Sequence, residues 1–184
     1  MRITILKECG FDEALMGLGL SYDITSDSIS MDDKTKTKMK VVASKLAGKG
    51  GGENKFLEFM QIWLDITAPR YWWAQFDTYR IGVSKQSQST MHTIMRRKIT
   101  QSMFSEKIPI SYVKQLEKLR TENDFIKLKS LLPECFLQRR IVNLNYMSLR
   151  NIIKQRENHK LLEWKSFCQY MKDNCEHYDL LRKE

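Results

Sequence analysis

Metal-ligand spacing is missing from this sequence. Its four cysteines (Cys9, Cys135, Cys168 and Cys175) form no Cys-x-x-Cys pair, and its three histidines do not cluster with them. That argues against a zinc site and against a disulfide framework, and leaves free thiols. Long apolar runs are missing too, which argues against a membrane span. The opening Met-Arg-Ile-Thr-Ile-Leu is broken at once by Lys7 and Glu8, too early for a signal peptide, so the cytoplasm is the expected location. There is no Gly-x-x-x-x-Gly-Lys loop, no His-Glu-x-x-His and no Gly-x-Ser-x-Gly. The P-loop, zinc-protease and serine-hydrolase chemistries that those motifs carry are therefore not indicated.

What is there fits a globular protein. A length of 184 residues, 42% hydrophobic and 29% charged, suits one domain over residues 1–184 with its own core. The formal charge of +9 is spread over Lys34–Lys49, Arg96–Lys98, Lys114–Lys129, Arg139–Arg140 and Lys154–Lys160. It favours anionic partners such as nucleic acid, phosphate-bearing cofactors or an acidic protein surface. Read alone, such scattered charge is solubility.

The hydrophobic pattern predicts a mixed order with a helix-rich C-terminal half. Arg2–Lys7 alternates like an edge strand, and Gly10–Tyr22 reads as a helix leading into a turn. Asp23–Asp33 has no apolar period and reads as a loop. Asp32–Asp33 can cap a helix to Leu46, stopped by Gly48–Gly52. Phe56–Thr67 and Trp72–Tyr79 are each helix or strand, with Ala68–Pro69 between them. Pro109 starts a helical hairpin through Leu131, broken near Thr121–Asn123. Pro133 is expected to open a long helix through about Arg156, and Lys160–Leu181 a final helix.

The stretch from Arg70 to His92 opens with Tyr71, Trp72 and Trp73 and closes on Ser84, Ser87, Ser89 and Thr90. Aromatic bulk feeding a hydroxyl-rich segment is the composition of a polar ligand pocket. On the long helix expected after Pro133, Asn145 and Arg156 are eleven residues apart and return to nearly the same face, ~16 Å apart along the axis. Such a face can line an elongated anion, although taken singly both read as surface residues. The loop Gly48-Lys-Gly-Gly-Gly52 can hug a phosphate or serve as a connector.

Taken together these pieces resemble the flavin-dependent thymidylate synthases (ThyX). Their Arg-His-Arg-x-x-Ser-x-Asn-Glu-x-Ser-x-Arg-Tyr signature has a diverged likeness around Arg80, preceded by Ala68–Pro69 and Gln75. With one residue inserted, Ser84, Gln86 and Ser89 take the places of its Ser, Asn and Ser. In the C-terminal half, Leu132-Pro133, Asn145, Ser148-Leu149, Asn151, Arg156, His159 and Trp164 resemble the family's Leu-Pro…Asn-x-Arg-Ser-Leu-x-Asn…Leu-Arg…His-x-Gln-Trp stretch.

The resemblance implies a mixed α/β (α+β) fold with a central sheet. It also implies a homotetramer with active sites between subunits, and the ligands FAD, dUMP, NADPH and methylene-tetrahydrofolate. By the same resemblance, Arg156 binds and polarises the pyrimidine. Gln75, Ser89 and Lys129 hold the nucleotide, and Arg80, Gln86, Asn145, Asn151 and His159 contact the flavin. No metal and no protein nucleophile are implied. The chain departs from the pattern at Thr78 and Tyr79 (Arg and His in the family), at Ser87 (Glu), Met91 (Arg), His92 (Tyr), Lys129 (Arg) and Met147 (Arg). Glu53 or Asn54 stands where the family has His. The alternative reading is a catalytically inactive protein of this fold from a mobile element, meeting nucleotides, nucleic acid or a nucleic-acid-associated protein through its basic surface.

Overall fold

The structure is a computed structural model that describes residues 1–23 and 31–182. Its frame is a four-stranded antiparallel sheet of order β1-β2-β4-β3, formed by β1 (Arg2–Cys9), β2 (Gln61–Pro69), β3 (Val83–Ser87) and β4 (Leu137–Asn145). Strict alternation sets the two faces of β2. Ile62, Leu64, Ile66 and Ala68 are fully buried, while Gln61, Trp63, Asp65 and Thr67 point the other way. Val142 and Leu144 of β4 extend the buried face. β1 is an edge strand, as the sequence predicts, and a bulge between Ile5 and Lys7 shifts its register on β2.

Eight α-helices occur among the described residues. α1 (Phe11–Leu20) and α2 (Asp33–Leu46) precede β2; α3 (Arg70–Phe76) follows it; α4 (Thr90–Thr93), α5 (Ile110–Thr121) and α6 (Phe125–Ser130) precede β4; α7 (Tyr146–Arg156) and α8 (Leu162–Asn174) close the chain. Met39, Trp72, Phe76, Leu149, Ile152, Trp164 and Phe167 from these helices join the buried face of the sheet in one core. A second, smaller core gathers Ile94, Ile99, Phe104, Val113, Leu116, Leu128 and Phe136 around α5 and α6.

Several expectations hold. Asp32 caps α2, its carboxylate accepting the Thr35 N–H at 2.8 Å. The hairpin from Pro109 breaks at Asn123, which adopts a left-handed φ of 59°. The Ser- and Asp-rich stretch after Tyr22 falls mostly on residues 24–30, outside the described ones. Phe56–Thr67 resolves into a short 3-10 turn (Lys55–Glu58) and then β2, and the Trp72–Tyr79 segment into α3 with a turn after it.

Two expectations are corrected. No long helix runs from Pro133 to Arg156: Leu137–Asn145 is strand β4, and only Tyr146–Arg156 is helical. Leu137, Ile141 and Leu144 have helical spacing, but β2 and β3 both offer unpaired edges, and Val142, Leu144 and Tyr146 alternate into the core. Asn145 is therefore not on a shared helical face with Arg156; it is the cap at the opposite end of α7. The final helix also stops at Asn174, and a separate 3-10 turn (Tyr178–Leu181) carries Leu180 and Leu181 into the core.

One ion pair ties the smaller core together. Glu117 accepts from Arg120 Nε at 2.8 Å and Nη2 at 2.6 Å, and from the Ile99 N–H at 2.8 Å. The Arg120 hydrogen bonds hold its carboxyl down at about 2. A folded-state value below the unfolded one stabilises the fold above the ordinary carboxylate range, and the contribution is lost as pH falls toward that lower value. Glu117→Gln is expected to flatten the acid limb of the stability curve between pH about 4.5 and about 2. Urea denaturation at several pH values reads this.

Candidate active site

Gln75 sits on the last turn of α3, and Trp164 rises from the first turn of α8. The Trp164 Nε1–H donates to Gln75 Oε1 at 2.8 Å, and Arg156 Nη1 donates to the same oxygen at 3.4 Å. Both partners are donors only, so the amide oxygen of Gln75 must face them and its NH₂ faces away. Arg156 ends α7. Its Nε–H donates to the Tyr79 hydroxyl at 2.7 Å, and that hydroxyl donates in turn to Gln155 Oε1 at 2.9 Å. The guanidinium carbon lies 4.9 Å from the Trp164 ring centre and 5.5 Å from that of Tyr79. Two aromatic faces and two acceptors thus fix the guanidinium. Three of its five N–H groups are left for a ligand, beside the free NH₂ of Gln75. The outcome is an edge made of donors.

The loop after α3 is anchored from below. Arg140 Nη1 contacts both carboxylate oxygens of Asp77 at 2.8 and 3.0 Å, and Lys85 Nζ reaches Asp77 at 3.2 Å and the Tyr79 carbonyl at 3.1 Å. Arg80 is exposed at the loop tip. Gly82, at φ 63°, then turns the chain into β3; a Cβ there would lie 2.5 Å from Asn145 Nδ2, so only glycine fits. Asn145 accepts the Ser148 N–H at 2.8 Å through Oδ1, which leaves its Nδ2 as a donor. Ser148 Oγ donates to the Ile81 carbonyl at 2.7 Å, which ties the cap of α7 to the Arg80 loop. His159 accepts the Leu161 N–H on Nδ1 at 3.1 Å, which directs its Nε2 as the donor. Asn151 and Gln86 are exposed, on α7 and on the edge strand β3.

The other nucleotide-binding candidates lie at the opposite end of α3. Ser89 precedes α4, and the ammonium of Lys129 on α6 donates to the hydroxyl of its neighbour Thr90. Burial and then the charge of Arg70 push the Lys129 pKa down. Arg70 donates to the Leu132 carbonyl at 2.9 Å. The structure therefore brings Gln75, Arg156 and His159 together around Trp164, sets Lys129 beside Thr90 and Arg70, and joins the two groups by no hydrogen bond among the described residues. Met91, where an arginine would be expected, is exposed. The Gly48–Gly52 loop borders a groove of about 720 Å³ lined by Leu18, Leu46, Lys49, Phe56 and Phe59, and there Lys49 pairs with Glu53 at 3.4 Å.

Tyr79 was the residue that sequence reasoning missed: it registers as a lost histidine, yet it holds Arg156. Its signal was an aromatic ring with a hydroxyl directly before the loop arginine. Tyr79→Phe is expected to weaken binding of a carbonyl- or phosphate-bearing ligand at Arg156 by roughly 2- to 10-fold, the worth of one net hydrogen bond, with melting temperature nearly unchanged; calorimetric titration checks it. Burial pushes the Cys168 and Cys175 thiols up to about 12, which keeps these two protonated.

Comparison with known proteins bears on the family and the fold. The Thy1 family, thymidylate synthase complementing protein, matches residues 18–178. A search of curated proteins by sequence found no match. Among solved structures, the flavin-dependent thymidylate synthase ThyX of Helicobacter pylori complexed with FAD and dUMP is similar at TM-score 0.79 and 18% identity, over 98% of this chain and 97% of that one. A second Helicobacter pylori ThyX structure with FAD and dUMP gives TM-score 0.77 and 20% identity over 99% and 98%. The UMP/dUMP methylase PolB of Streptomyces cacaoi, bound with 5-Br dUMP, gives 0.63 and 10% over 94% and 88%. The fold is the ThyX fold, and the chain belongs to the thymidylate synthase complementing protein (ThyX) family.

Proposed function

We propose that this protein is a divergent flavin-dependent thymidylate synthase that methylates dUMP to dTMP. The carrying observation is the clamped Arg156: Gln75, Tyr79 and Trp164 fix its guanidinium and leave a donor-only edge. Uracil presents two carbonyl oxygens to such an edge. Arg156 and the Gln75 NH₂ hold those oxygens, and the fixed guanidinium stabilises negative charge that develops on the ring during reaction. Ser89 and Lys129 hold the sugar and phosphate.

The donors around the Arg80 loop fit FAD. Arg80, Gln86, the Asn145 Nδ2, Asn151 and the His159 Nε2 would hold its carbonyl- and phosphate-bearing parts. When bound, FAD supplies the reducing equivalents, drawn from NADPH, with methylene-tetrahydrofolate as the carbon donor. The Gln75–Arg156 group and the Ser89–Lys129 group occupy the two ends of α3. Two copies of the chain, each lending one group, would complete a site, which supports a homo-oligomer with shared sites; a tetramer is what the family resemblance implies.

The test is product formation. Purified protein with FAD, NADPH, methylene-tetrahydrofolate and dUMP is expected to yield dTMP, measured by chromatography. Binding of FAD and dUMP without dTMP would reduce the reading to a nucleotide-binding protein of this fold.

A further inference from the structure

A groove of about 430 Å³ opens on the face of the sheet away from the core, separate from the Arg156 clamp. Its charged and polar lining is Arg2, Thr67, Gln88, Arg97, Ser102 and Arg139. Strand register builds half of it. Arg2 of β1 stands opposite Thr67 of β2, and Thr67 stands opposite Arg139 of β4. At about 4.8 Å per strand, the two arginines flank the threonine about 10 Å apart on one face. Arg2 Nη2 reaches Thr67 Oγ1 at 3.5 Å. The Gln88 N–H donates to the Arg139 carbonyl at 2.9 Å, which carries the row past the end of β3. Arg97 and Ser102 close the groove from the segment after α4.

The charges do not balance. Arg139 is matched by Asp65, with Nε and Nη2 contacts of 2.5 to 3.0 Å. Arg97 forms no ion pair among the described residues, Arg2 only shares the field of the same Asp65, and no acidic side chain lines the groove. Three guanidiniums converging on one concavity with a single carboxylate repel one another unless an anion enters. A concave wall also concentrates their field. Arginine forks backed by hydroxyl and amide donors are the chemistry that recognises phosphate oxygens.

We propose that this groove is a second anion site, which binds a phosphate-bearing ligand: the phosphates of a free nucleotide or the backbone of a single-stranded nucleic acid. Nothing in it depends on dUMP chemistry, and it leaves Arg156 and Gln75 free.

The test uses the full chain and two probes: inorganic pyrophosphate by calorimetry and a fluorescent oligo-dT strand by anisotropy, each at low and raised salt. Wild type is expected to bind at least one probe, and more weakly as salt rises. Arg2→Ala/Arg97→Ala is expected to lose at least tenfold in affinity while retaining the wild-type melting temperature and dUMP affinity. A control variant, Lys38→Ala/Lys45→Ala, removes the same charge from exposed positions on α2 and is expected to bind as wild type does. Pyrophosphate binding that depends on Arg2 and Arg97 identifies a nucleotide phosphate as the ligand. Arginine-dependent binding of the oligonucleotide alone identifies a backbone. The proposal is overturned if wild type binds neither probe, if the arginine variant binds like wild type, or if the lysine control weakens as much.

Discussion

Arg156→Ala is expected to lower dUMP affinity by about 10²- to 10⁴-fold, because up to two charge-assisted hydrogen bonds at ~1.5–3 kcal/mol each are lost. On the proposed function turnover should fall with it, since the same guanidinium would meet the charge developing on the ring. The fold should survive. Arg156 is only half-buried at the last turn of α7, and Tyr79 and Gln75 stay hydrogen-bonded to Gln155 and Trp164 without it. Arg156→Lys separates charge from geometry. It keeps a cation but loses the planar fork and the Nε–H that Tyr79 accepts, so it should recover only part of the affinity. Calorimetry with dUMP, with a thermal melt on each variant, distinguishes lost binding from lost structure.

Trp72→Ala is expected to cost ~3–5 kcal/mol, a large share of the ~5–15 kcal/mol that holds a typical domain together. Trp72 is fully buried, and its ring centre lies 4.6 Å from Trp164, 4.9 Å from Trp73, 5.0 Å from Phe76 and 5.9 Å from Phe167. Removing it empties the middle of that cluster and loosens Trp164, which carries Gln75. Stability and nucleotide binding should therefore fall together. The phenylalanine variants sharpen the point. Trp72 Nε1 is buried with no hydrogen-bond partner, whereas Trp73 Nε1 donates to the Gln138 carbonyl at 2.9 Å. Trp72→Phe removes an unsatisfied donor, whereas Trp73→Phe deletes a hydrogen bond that is made, so Trp73→Phe should be the more destabilising of the two. Urea denaturation midpoints test the order.

Local signals carried most of the fold. The Asp32 cap, the Pro109 start and the alternation of β1 all act within a few residues, and the sequence displays each of them. β4 was hidden because its identity depends on partners. Residues 137–145 pair with β2 on one side and β3 on the other, and no nearby residue announces either. Pro133 precedes a turn there and not a helix, since Phe136 N–H returns to the Pro133 carbonyl at 3.0 Å. The site divides in the same way. Gln75, Arg156 and Trp164 were legible through the family motif. The role of Tyr79 was not, because it arises where the loop after α3 meets the end of α7, 77 residues along the chain. A histidine-to-tyrosine exchange reads as a loss in one dimension and as a hydrogen-bond partner in three.

The most direct measurement is the visible absorption spectrum of the purified protein after incubation with FAD and removal of unbound flavin, recorded before and after dUMP is added. The expected result is retained flavin whose spectrum shifts on addition of dUMP in the wild type and does not shift in Arg156→Ala. A protein that emerges colourless, or flavin that is indifferent to dUMP in the wild type, would contradict the assignment of Arg156 to a nucleotide held against FAD.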